Sequence, residues 1–540
     1  MTVETTRKHI AQTKELIDDL KAVCANYGLG NDGNEFKIIT QIFLYKYLND
    51  KFTYELKKVK PEIFKNEDWV EALKALPEDE YKKLEFQIES DIAFLKPEHF
   101  IPYLFNRQDQ PDFAKRLDET LLDIAATNND LFAVNTPDGV KIRLFEPITE
   151  YVSSKRDAFA KALINKLVND INFEDVMTEG FDFFSTIFEY LIKDYNNDAG
   201  GKYAEYYTPH AVSKIMAAIL VPEPVENVTI FDPSAGSGTL LMTLAHAIGA
   251  NKCTVYSQDI SQKSSNLLRL NLVLNNLVHS IQNVIQGNTM TTPYHRNKTF
   301  NYIVSNPPFK LDFSDDIDEL NKKVNQERFF VGIPNVPKKE KNKMSIYSLF
   351  LQHIMHSLDK NNGKAAIVVP TGFITAQSGI DKRIREQMIM RNMLAGVVSM
   401  PSNIFATTGT NVSIVFLDTQ NDGNVVLIDA SNLGRTVKEL KNQKTVLDLQ
   451  EEEQIINTFI NKKSLDDFSV VVSYDEIKAK NYSLSAGQYF EIKIEHSDIT
   501  EEEFVLKMGD LSMGIDSLFK ESEELERAIQ NNLKLIRYEG

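Results

Sequence analysis

An α/β fold with a mostly parallel, doubly wound sheet is predicted for the middle of this 540-residue chain. From about residue 229, short apolar runs alternate with helical stretches, and this alternation is typical of strands joined by crossover helices. Polar and turn-forming residues follow several runs directly, at the strand ends where such sheets bind ligands. The predicted strands are 228–231, 253–257, 283–286, 302–305, 365–369, 394–399, 412–417 and 425–428.

Three regions are expected along the chain. Residues 1–150 are predicted to form a helical N-terminal domain, in which apolar residues from Leu16 to Tyr27 recur at helical spacing and the glycines at 28–33 end that helix. Residues 151–430 contain the predicted sheet, preceded by helices at 155–172 and 181–195. Residues 431–540 are charged and are predicted to be helical. They end in an amphipathic helix at 511–537, which is either a subunit-docking helix or a solvated one.

The composition is that of an ordinary soluble globular protein, with 42% hydrophobic and 25% charged residues. No apolar run approaches the ~18 residues of a membrane span, and the first eight residues lack the apolar core of a signal peptide. The only cysteines are Cys24 and Cys253, so no disulfide framework is expected. We therefore expect a cytoplasmic protein without a membrane segment.

The formal net charge of −17 opposes nucleic-acid binding by the chain as a whole. Phosphates require a positive surface, so a nucleic-acid substrate would need a local basic surface or a partner chain. The stretch from Lys310 to Met344 is one candidate surface, and the alternative is a solvated charged loop. Its basic residues are Lys322, Lys323, Arg328, Lys338, Lys339, Lys341 and Lys343.

The segment Phe231-Asp-Pro-Ser-Ala-Gly-Ser-Gly-Thr-Leu-Leu241 predicts a strand, a tight turn and the start of a helix. Its glycines permit a close backbone approach to a ligand at the helix N-terminus. No Gly-Lys-Ser/Thr occurs in the chain, so a phosphate-binding loop and ATP hydrolysis are not expected. The candidate cofactor contacts are Asp232, Ser234, Gly236, Ser237 and Gly238.

Polar residues also end the next two predicted strands. Asp259 lies ~20 residues past the glycine turn, where an acid is expected to bind two ribose hydroxyls. Asn288 follows the third strand and is a candidate contact to an adenine ring. A ribose-binding acid without a phosphate cradle favours S-adenosyl-L-methionine (SAM) over a dinucleotide. Each residue alone also fits an ordinary strand-end turn, but their order and spacing together favour a cofactor site.

The loop Asn306-Pro-Pro-Phe309 follows the predicted strand 302–305. Prolines cannot continue a strand, so a stiff loop is expected at the strand's carboxyl end. It offers a side-chain carbonyl, backbone carbonyls and a flat ring, which are the groups needed to hold a planar amine. Taken alone, it is equally compatible with a strand terminator and a structural phenylalanine. Asn306, Pro307, Pro308 and Phe309 are the candidate catalytic residues, and Asn306 is also a candidate cofactor contact.

Together these segments resemble the adenine-N6 DNA methyltransferases, and specifically the modification subunit of type I restriction–modification systems. The resemblance runs from about Ile187 to Thr419, with looser similarity at both ends. Glu205-Tyr-Tyr-Thr-Pro209 precedes the glycine turn, as it does in that family. The other similar segments are Phe188–Leu191, Asn306–Phe309, Glu327–Pro334, Leu349–His353, Gly363–Pro370, Met400–Phe405, Thr408–Asn411 and Asn481–Ser485.

The resemblance implies a Rossmann-like, SAM-dependent fold that methylates adenine N6 in double-stranded DNA. Tyr207, Thr208 and Pro209 would close over the cofactor. Two copies of the chain would bind one specificity subunit, joined by an ATP-dependent restriction subunit. With a charge of −17, most DNA affinity and the choice of site would come from the specificity subunit.

Methylation of an exocyclic amine needs neither a metal nor a covalent intermediate. Asn306 Oδ1 and the Pro307 carbonyl would accept hydrogen bonds from the amine, and Phe309 would stack on a base that is flipped out of the duplex. Cytosine-C5 methylation needs a cysteine nucleophile, in that family one after a proline. Here Cys24 follows a valine and Cys253 a lysine, which excludes that chemistry.

Three residues depart from the family pattern: Ala204 replaces a glycine, and Asn288 and Asn301 each replace an aspartate. Alternative functions are protein-glutamine methylation, which also uses an Asn-Pro-Pro-aromatic loop, cytosine-N4 methylation, and a catalytically idle subunit. The pair His353 and His356 is interpreted as core or surface rather than as a metal site. Thr208 is predicted to cap the helix 211–220, with Pro209 in its first turn.

Overall fold

The computed structural model describes residues 3–30, 33–169, 171–177, 183–184, 186–191, 208–405, 411–439, 442–490 and 500–535. The chain divides into two compact units, Met1–Phe490 and Glu491–Gly540. Among the described helices, none combines the length and the apolarity that a membrane crossing requires.

The first unit is built around a mixed β-sheet. Eleven strands of the described chain form this sheet, and two more form a separate hairpin. The strands are β1 (Val134–Asn135), β2 (Lys141–Ile142), β3 (Val228–Asp232), β4 (Cys253–Asp259), β5 (Val284–Gln286), β6 (Tyr302–Ser305), β7 (Lys364–Pro370), β8 (Leu394–Ser399), β9 (Val412–Asp418), β10 (Asn424–Asp429), β11 (Arg435–Glu439), β12 (Asn442–Val446) and β13 (Ser469–Ser473).

The strand order is β13-β10-β8-β9-β7-β6-β3-β4-β5-β1-β2. The central strands β5, β4, β3, β6 and β7 are parallel, whereas β9 runs antiparallel between β7 and β8. All four residues of β6 are buried, as expected for a parallel strand covered on both faces. All eight predicted strands are present, so the predicted α/β sheet is confirmed.

The structure also contains strands that the sequence pattern did not predict. Residues after 431 were expected to be helical, but β11 and β12 form a hairpin there and β13 pairs antiparallel with β10 at the sheet edge. At the opposite edge, β1 pairs with β5 and brings the N-terminal region into the same sheet. The prediction of a purely helical C-terminal region was therefore wrong before residue 490.

Helices surround the sheet and make up most of the N-terminal region. The long helices Val3–Asn26 and Gly33–Val59 pack with Arg156–Asn169 around buried apolar side chains. Further helices in the described part of the first unit include Trp69–Lys74, Glu78–Gln87, Ile101–Phe105, Phe113–Thr127, Asn129–Phe132, His210–Leu220, Thr239–Ile248, Gln262–Leu274, Ile317–Leu320, Tyr347–Ser357, Gly372–Thr375, Gly379–Met390, Leu449–Ile460 and Tyr474–Ala479.

One buried arginine joins the N-terminal region to the sheet-bearing region. Arg269, on helix Gln262–Leu274, is 3% exposed and donates to the backbone carbonyls of Phe132, Ile142, Arg143 and Leu144. These bonds give the buried guanidinium hydrogen-bond acceptors on the backbone of the N-terminal region. The contact fixes the loop around β2 against a helix that begins beside the predicted ribose-binding acid.

The second unit contains one 35-residue helix, Glu501–Leu535. It begins ten residues before the predicted start at 511, because Thr500 and Glu503 form reciprocal capping contacts at its N-terminus. The predicted end at Arg537 lies outside the described residues.

Candidate active site

The predicted site residues meet where the strand order reverses. From β3 the chain moves to β4 and β5 on one side, and it then returns to β6 on the other side of β3. Open α/β sheets bind their ligands in the crevice at such a reversal, beyond the carboxyl ends of the strands. Asp232 ends β3, Asp259 ends β4, and Asn306 directly follows β6.

The glycine turn adopts the backbone that the sequence predicted. Gly236 and Gly238 have φ values of 53° and 87°, in the left-handed region that favours glycine. A Cβ on Gly238 would lie 2.3 Å from Leu268 Cδ1, so any larger residue at this position would force the Leu268 side chain to move. Helix Thr239–Ile248 starts immediately after it. A cofactor contact by either glycine, or by Ser237, stays a prediction.

Two buried acids face this turn. Asp259 Oδ2 accepts from the Gly236 N–H at 2.9 Å, and its Oδ1 accepts from the Ser261 N–H at 2.8 Å. Asp232 Oδ1 accepts from the Ser234 N–H at 2.9 Å. Burial raises the pKa of Asp232 to about 7, and the nearby Asp259 carboxylate adds to the rise. Burial also raises the pKa of Asp259.

A serine pair connects the glycine turn to the candidate catalytic loop. Ser234 Oγ lies 2.7 Å from the Oγ of Ser305, which is fully buried at the end of β6. Ser305 also contributes a hydrogen bond that lowers the pKa of Asp232 against the effect of burial. Ser305 was not among the predicted site residues, because a serine ending an apolar run gives no signal of its own.

Thr208 contacts the side-chain amide of Asn306, a candidate catalytic residue, instead of capping a helix. The predicted cap was wrong: Pro209 occupies the N-cap position of His210–Leu220, and no side chain caps that helix. Asn306 Nδ2 instead donates to Thr208 Oγ1 at 3.3 Å. Asn306 Oδ1 has no hydrogen-bond partner within the described part of the chain. Asn306 Oδ1, the side-chain oxygen of the predicted amine clamp, is therefore available to accept a hydrogen bond.

The rest of the loop is stiff and partly exposed. Pro307 is buried, while Pro308 and Phe309 are half-buried. The Phe309 ring packs edge-to-face on Tyr347 at 6.3 Å, and the Tyr347 hydroxyl donates to Asp381 at 2.7 Å. Sequence reasoning missed Tyr347, since an aromatic at the start of a helix is usually core.

The turn after β5 holds the candidate adenine contact. Asn288 Oδ1 accepts from the Met290 N–H at 2.9 Å, so the side chain stabilises its own turn and keeps its amide N–H groups available. Ile260, directly after Asp259, is 63% exposed. An exposed isoleucine beside the predicted ribose-binding acid is a candidate adenine contact, although its exposure has no sequence signal.

One of the basic residues of the stretch 310–344 is buried and does not belong to the predicted basic surface. Arg328 is only 1% exposed, so its prediction as a phosphate contact was wrong. Lys322 and Lys343 pair with Glu319 and Glu340. Lys338 and Lys339 are exposed and have no ionic partner among the described residues.

Neither cysteine is placed for nucleophilic catalysis. Cys24 and Cys253 are free and buried, and burial raises their thiol pKa to about 12 and about 11. His353 is buried, and burial lowers its pKa, which agrees with its interpretation as core. Within the ranges that the structure describes, no group of three or more metal-ligating side chains occurs. Tyr207 and Ala204 lie outside those ranges.

Asn301, one of the departures from the family pattern, serves a structural purpose. Its Oδ1 accepts from the Thr229 N–H at 2.9 Å, at the end of the sheet away from the candidate site. An amide oxygen accepts this bond as a carboxylate would. The departure therefore leaves the candidate active site unchanged.

Comparison with known proteins identifies relatives across most of the chain. The profile of the N-6 DNA Methylase family matches residues 179–498. The chain is 27% identical over 381 residues to the type I restriction enzyme MpnII methylase subunit of Mycoplasma pneumoniae, covering 68% of this chain and 67% of that one. It is 25% identical over 375 residues to the MjaIX methylase subunit of Methanocaldococcus jannaschii, covering 66% and 64%. The matches thus span about two thirds of these relatives.

A solved structure supports the same relationship at the level of fold. The type I restriction-modification system methyltransferase subunit from Streptococcus thermophilus superposes with a TM-score of 0.71. The superposition covers 89% of this chain and 99% of the Streptococcus thermophilus subunit, and the two sequences are 22% identical. The predicted methyltransferase fold and the predicted adenine-N6 DNA methyltransferase family are therefore confirmed. The family profile matches more than half of the sequence, and the chain belongs to the N-6 DNA methylase family.

Proposed function

We propose that this chain transfers a methyl group from SAM to the N6 amine of an adenine flipped out of double-stranded DNA. It would do so as the methylating subunit of a type I restriction–modification complex. The observation that carries this proposal is the arrangement around Asn306, whose Oδ1, at the carboxyl end of β6, has no hydrogen-bond partner among the described residues. Ser305 connects that loop to the glycine turn, and Thr208 contacts the amide itself.

The residues around the crevice fit a cofactor with one cationic end and one adenosine end. Asp259 would hold the ribose hydroxyls, while the Asn288 amide and Ile260 would contact the adenine. Asp232 would face the cationic end, because it lies on the Ser305 side, close to the amide that must meet the methyl group. When bound, SAM supplies an electrophilic methyl group on a sulfonium.

The chain's own task in the transfer is to hold the amine. Asn306 Oδ1 and the Pro307 carbonyl would each accept a hydrogen bond from one N–H group of the adenine amine. These two hydrogen bonds favour a more tetrahedral and nucleophilic nitrogen. Preorganised acceptors and in-line positioning then supply most of the rate enhancement. Phe309, held at its edge by Tyr347, would stack on the flipped base.

Other chains are expected to supply most of the DNA affinity. Lys338 and Lys339 are candidate phosphate contacts on this chain, but the net charge of −17 opposes strong binding. The relatives are named as methylase subunits, which supports a role inside a larger enzyme. We propose a specificity subunit that binds two copies of this chain, together with an ATP-dependent restriction subunit. The free, buried cysteines support a reducing, cytoplasmic location.

The helix Glu501–Leu535 is the proposed docking element for the specificity subunit. It carries exposed apolar side chains at spacings of four and three residues, with one spacing of seven where Ser522 interrupts the series, which is close to the pattern of a coiled-coil seam. Their exposure ranges from 47% at Met508 to 64% at Leu518. The seam residues are Phe504, Met508, Leu511, Ile515, Leu518, Leu525 and Ile529.

A transfer assay with labelled SAM and the reconstituted complex tests the proposed activity. Duplex DNA should accept the label, and a protein-glutamine substrate should not. Label in the protein substrate alone would establish the glutamine alternative. A complex that binds SAM and methylates neither substrate would establish the idle-subunit alternative.

Docking is tested separately by co-purification with the specificity subunit. Leu518→Lys places a charge in the seam and should prevent co-purification. Lys520→Glu, two residues away and outside the seam, is the matched control and should leave it intact. Normal complex formation by Leu518→Lys would contradict the docking proposal.

A further inference from the structure

The stretch that follows the candidate catalytic loop is a folded lobe. Residues 310–344, here called the lobe, are closed at their base by a hydrogen bond from the Leu311 N–H to the Met344 carbonyl at 3.1 Å. A small apolar core fills the lobe. It includes Phe313, Leu320, Phe329 and Met344 of the lobe, and also Met290 from the turn after β5. The lobe therefore packs directly against the turn that carries Asn288.

Arg328 is the polar connection between the lobe and that turn. Its Nη1 donates to the Thr289 carbonyl at 2.9 Å, and its Nη2 donates to the Met290 carbonyl and, at 3.0 Å, to Asn325 Oδ1. The side chain is 1% exposed. No carboxylate lies within ion-pair distance of it in the described part of the chain.

Burying an arginine without a carboxylate is costly, and backbone carbonyls compensate for it only when the geometry is good. Burial and the neighbouring Arg296 lower the pKa of Arg328 to about 9, so the guanidinium remains charged at neutral pH. The charge is thus directed to two successive carbonyls of one turn. A lysine, with a single nitrogen at its tip, lacks the fork that reaches both.

The same turn is held from its other sides by the remaining cofactor segments. The Thr289 hydroxyl donates to the Pro233 carbonyl at 2.7 Å, and the Gly287 N–H donates to the Asp259 carbonyl at 2.8 Å. Pro137 packs so closely that a Cβ on Gly287 would lie 2.6 Å from its Cγ. On the lobe side, Arg328 binds the carbonyls of the turn itself, in addition to the packing of Met290 and the hydrogen bonds from Arg296 to Val324 and Asn325.

We propose that Arg328 is a positioning residue that clamps the Asn288 turn to the lobe and thereby sets the adenine end of the cofactor pocket. This inference rests on the proposed SAM-dependent function. Through this clamp, the lobe that follows the catalytic loop also shapes the pocket for the methyl donor. The guanidinium itself contacts neither cofactor nor DNA.

The test compares two ligands in the full-length protein. S-adenosylhomocysteine carries both the amino-acid and the adenosine end, whereas 5′-deoxy-5′-methylthioadenosine carries only the adenosine end. Arg328→Lys should weaken both by a similar factor of about ten, the effect of losing one hydrogen bond to a charged group. The turnover number at saturating SAM should change less than about twofold, because Asn306 is untouched. The salt dependence of DNA binding should be unchanged.

Arg296→Lys is the matched control. Arg296 also binds Asn325 Oδ1, at 2.6 Å, but it makes no hydrogen bond to the Thr289 or Met290 carbonyl. It should leave both ligand affinities unchanged. If Arg328→Lys does not fold, Asn325→Ser, which removes one of the guanidinium's partners, should reproduce the affinity pattern with a smaller amplitude.

Several outcomes would overturn the inference. These are unchanged ligand affinities in both Arg328→Lys and Asn325→Ser, a loss confined to S-adenosylhomocysteine, and a lower turnover number with normal affinities. A wild-type protein that binds no S-adenosylhomocysteine would refute the proposed function and this inference together. If the wild type binds S-adenosylhomocysteine and methylates DNA, and Arg328→Lys has the same dissociation constants and turnover number, the clamp is refuted and the proposed function stands.

Discussion

The protonation of Asp232 should make SAM binding depend on pH. The carboxyl of Asp232 is fully buried, and burial raises its pKa from 3.8 to about 7 in the ligand-free protein. The proposed ligand places a cation near this group, which favours the ionised form. Below pH 7, binding must therefore displace a proton, and the affinity should fall as the pH falls.

The size of the effect follows from that pKa. Relative to protein in which Asp232 is fully ionised, the dissociation constant for SAM should be about twofold higher at pH 7 and about tenfold higher at pH 6. Binding should release about half a proton at pH 7 and about nine-tenths of a proton at pH 6. Burial also raises the pKa of Asp259, which acts in the same direction.

Calorimetric titration with SAM between pH 5.5 and 7.5, in buffers of different ionisation enthalpy, measures both quantities. The range ends at 7.5 because the cofactor's own α-amino group, like other α-amines, loses its proton near pH ~8. Asp232→Asn is the control and should bind weakly, with less dependence on pH. A dissociation constant that is flat across this range, without proton release, would refute the placement of Asp232 at the cationic end.

The same pKa predicts a stability effect of opposite sign. The folded state binds the Asp232 proton more tightly than the unfolded state, so stability is lost as the pH rises from about 4 to about 7. A shift from 3.8 to about 7 corresponds to about 4 kcal/mol for this fully buried group. Asp232→Asn should therefore raise the melting temperature of the ligand-free protein at pH 8 while it impairs cofactor binding.

Three substitutions test other parts of the site. Asn306→Ala should lower the transfer rate by at least about 100-fold with SAM affinity retained, as measured by kinetics beside calorimetry, and an active variant would refute its role. Thr208→Val should lower the turnover number about tenfold without changing SAM affinity, and Thr208→Ser should restore it; a weaker SAM affinity instead would make Thr208 a cofactor contact. Gly238→Ala should lower the free energy of unfolding by more than about 2 kcal/mol in chemical denaturation, since its Cβ would meet Leu268. The control Gly139→Ala, at φ 83° with no atom within 4 Å of the added Cβ, should cost less. Equal losses in the two variants would exclude the clash as the cause.

The strands of the sheet were predictable because parallel strands buried on both faces appear as continuous apolar runs. The Gly236–Gly238 turn and Asp259 were predictable because each follows such a run at the spacing of a nucleotide-type site. The hairpin of β11 and β12 was not, since its strands are polar and partly exposed. The edge strand β13 lies in a charged stretch that obscured its valines.

The candidate site shows the same division between local and tertiary information. Thr208-Pro209 has the local pattern of a helix cap, but its partner Asn306 lies 98 residues away. Arg328 belongs to a basic stretch, and its burial follows only from the folding of the lobe around it. The sequence pattern thus singled out both residues but wrongly predicted a helix cap for Thr208 and a phosphate contact for Arg328, because a local pattern does not determine a tertiary partner.

Transfer to adenine N6 by the Asn306 loop is tested most directly by analysing the nucleosides of methylated DNA. Duplex DNA is incubated with SAM and the reconstituted complex, digested and examined by mass spectrometry, with Asn306→Ala in parallel. We expect N6-methyladenine from the wild type and no methylated nucleoside from the variant. N4-methylcytosine without N6-methyladenine, or undiminished N6-methyladenine from Asn306→Ala, would contradict this expectation.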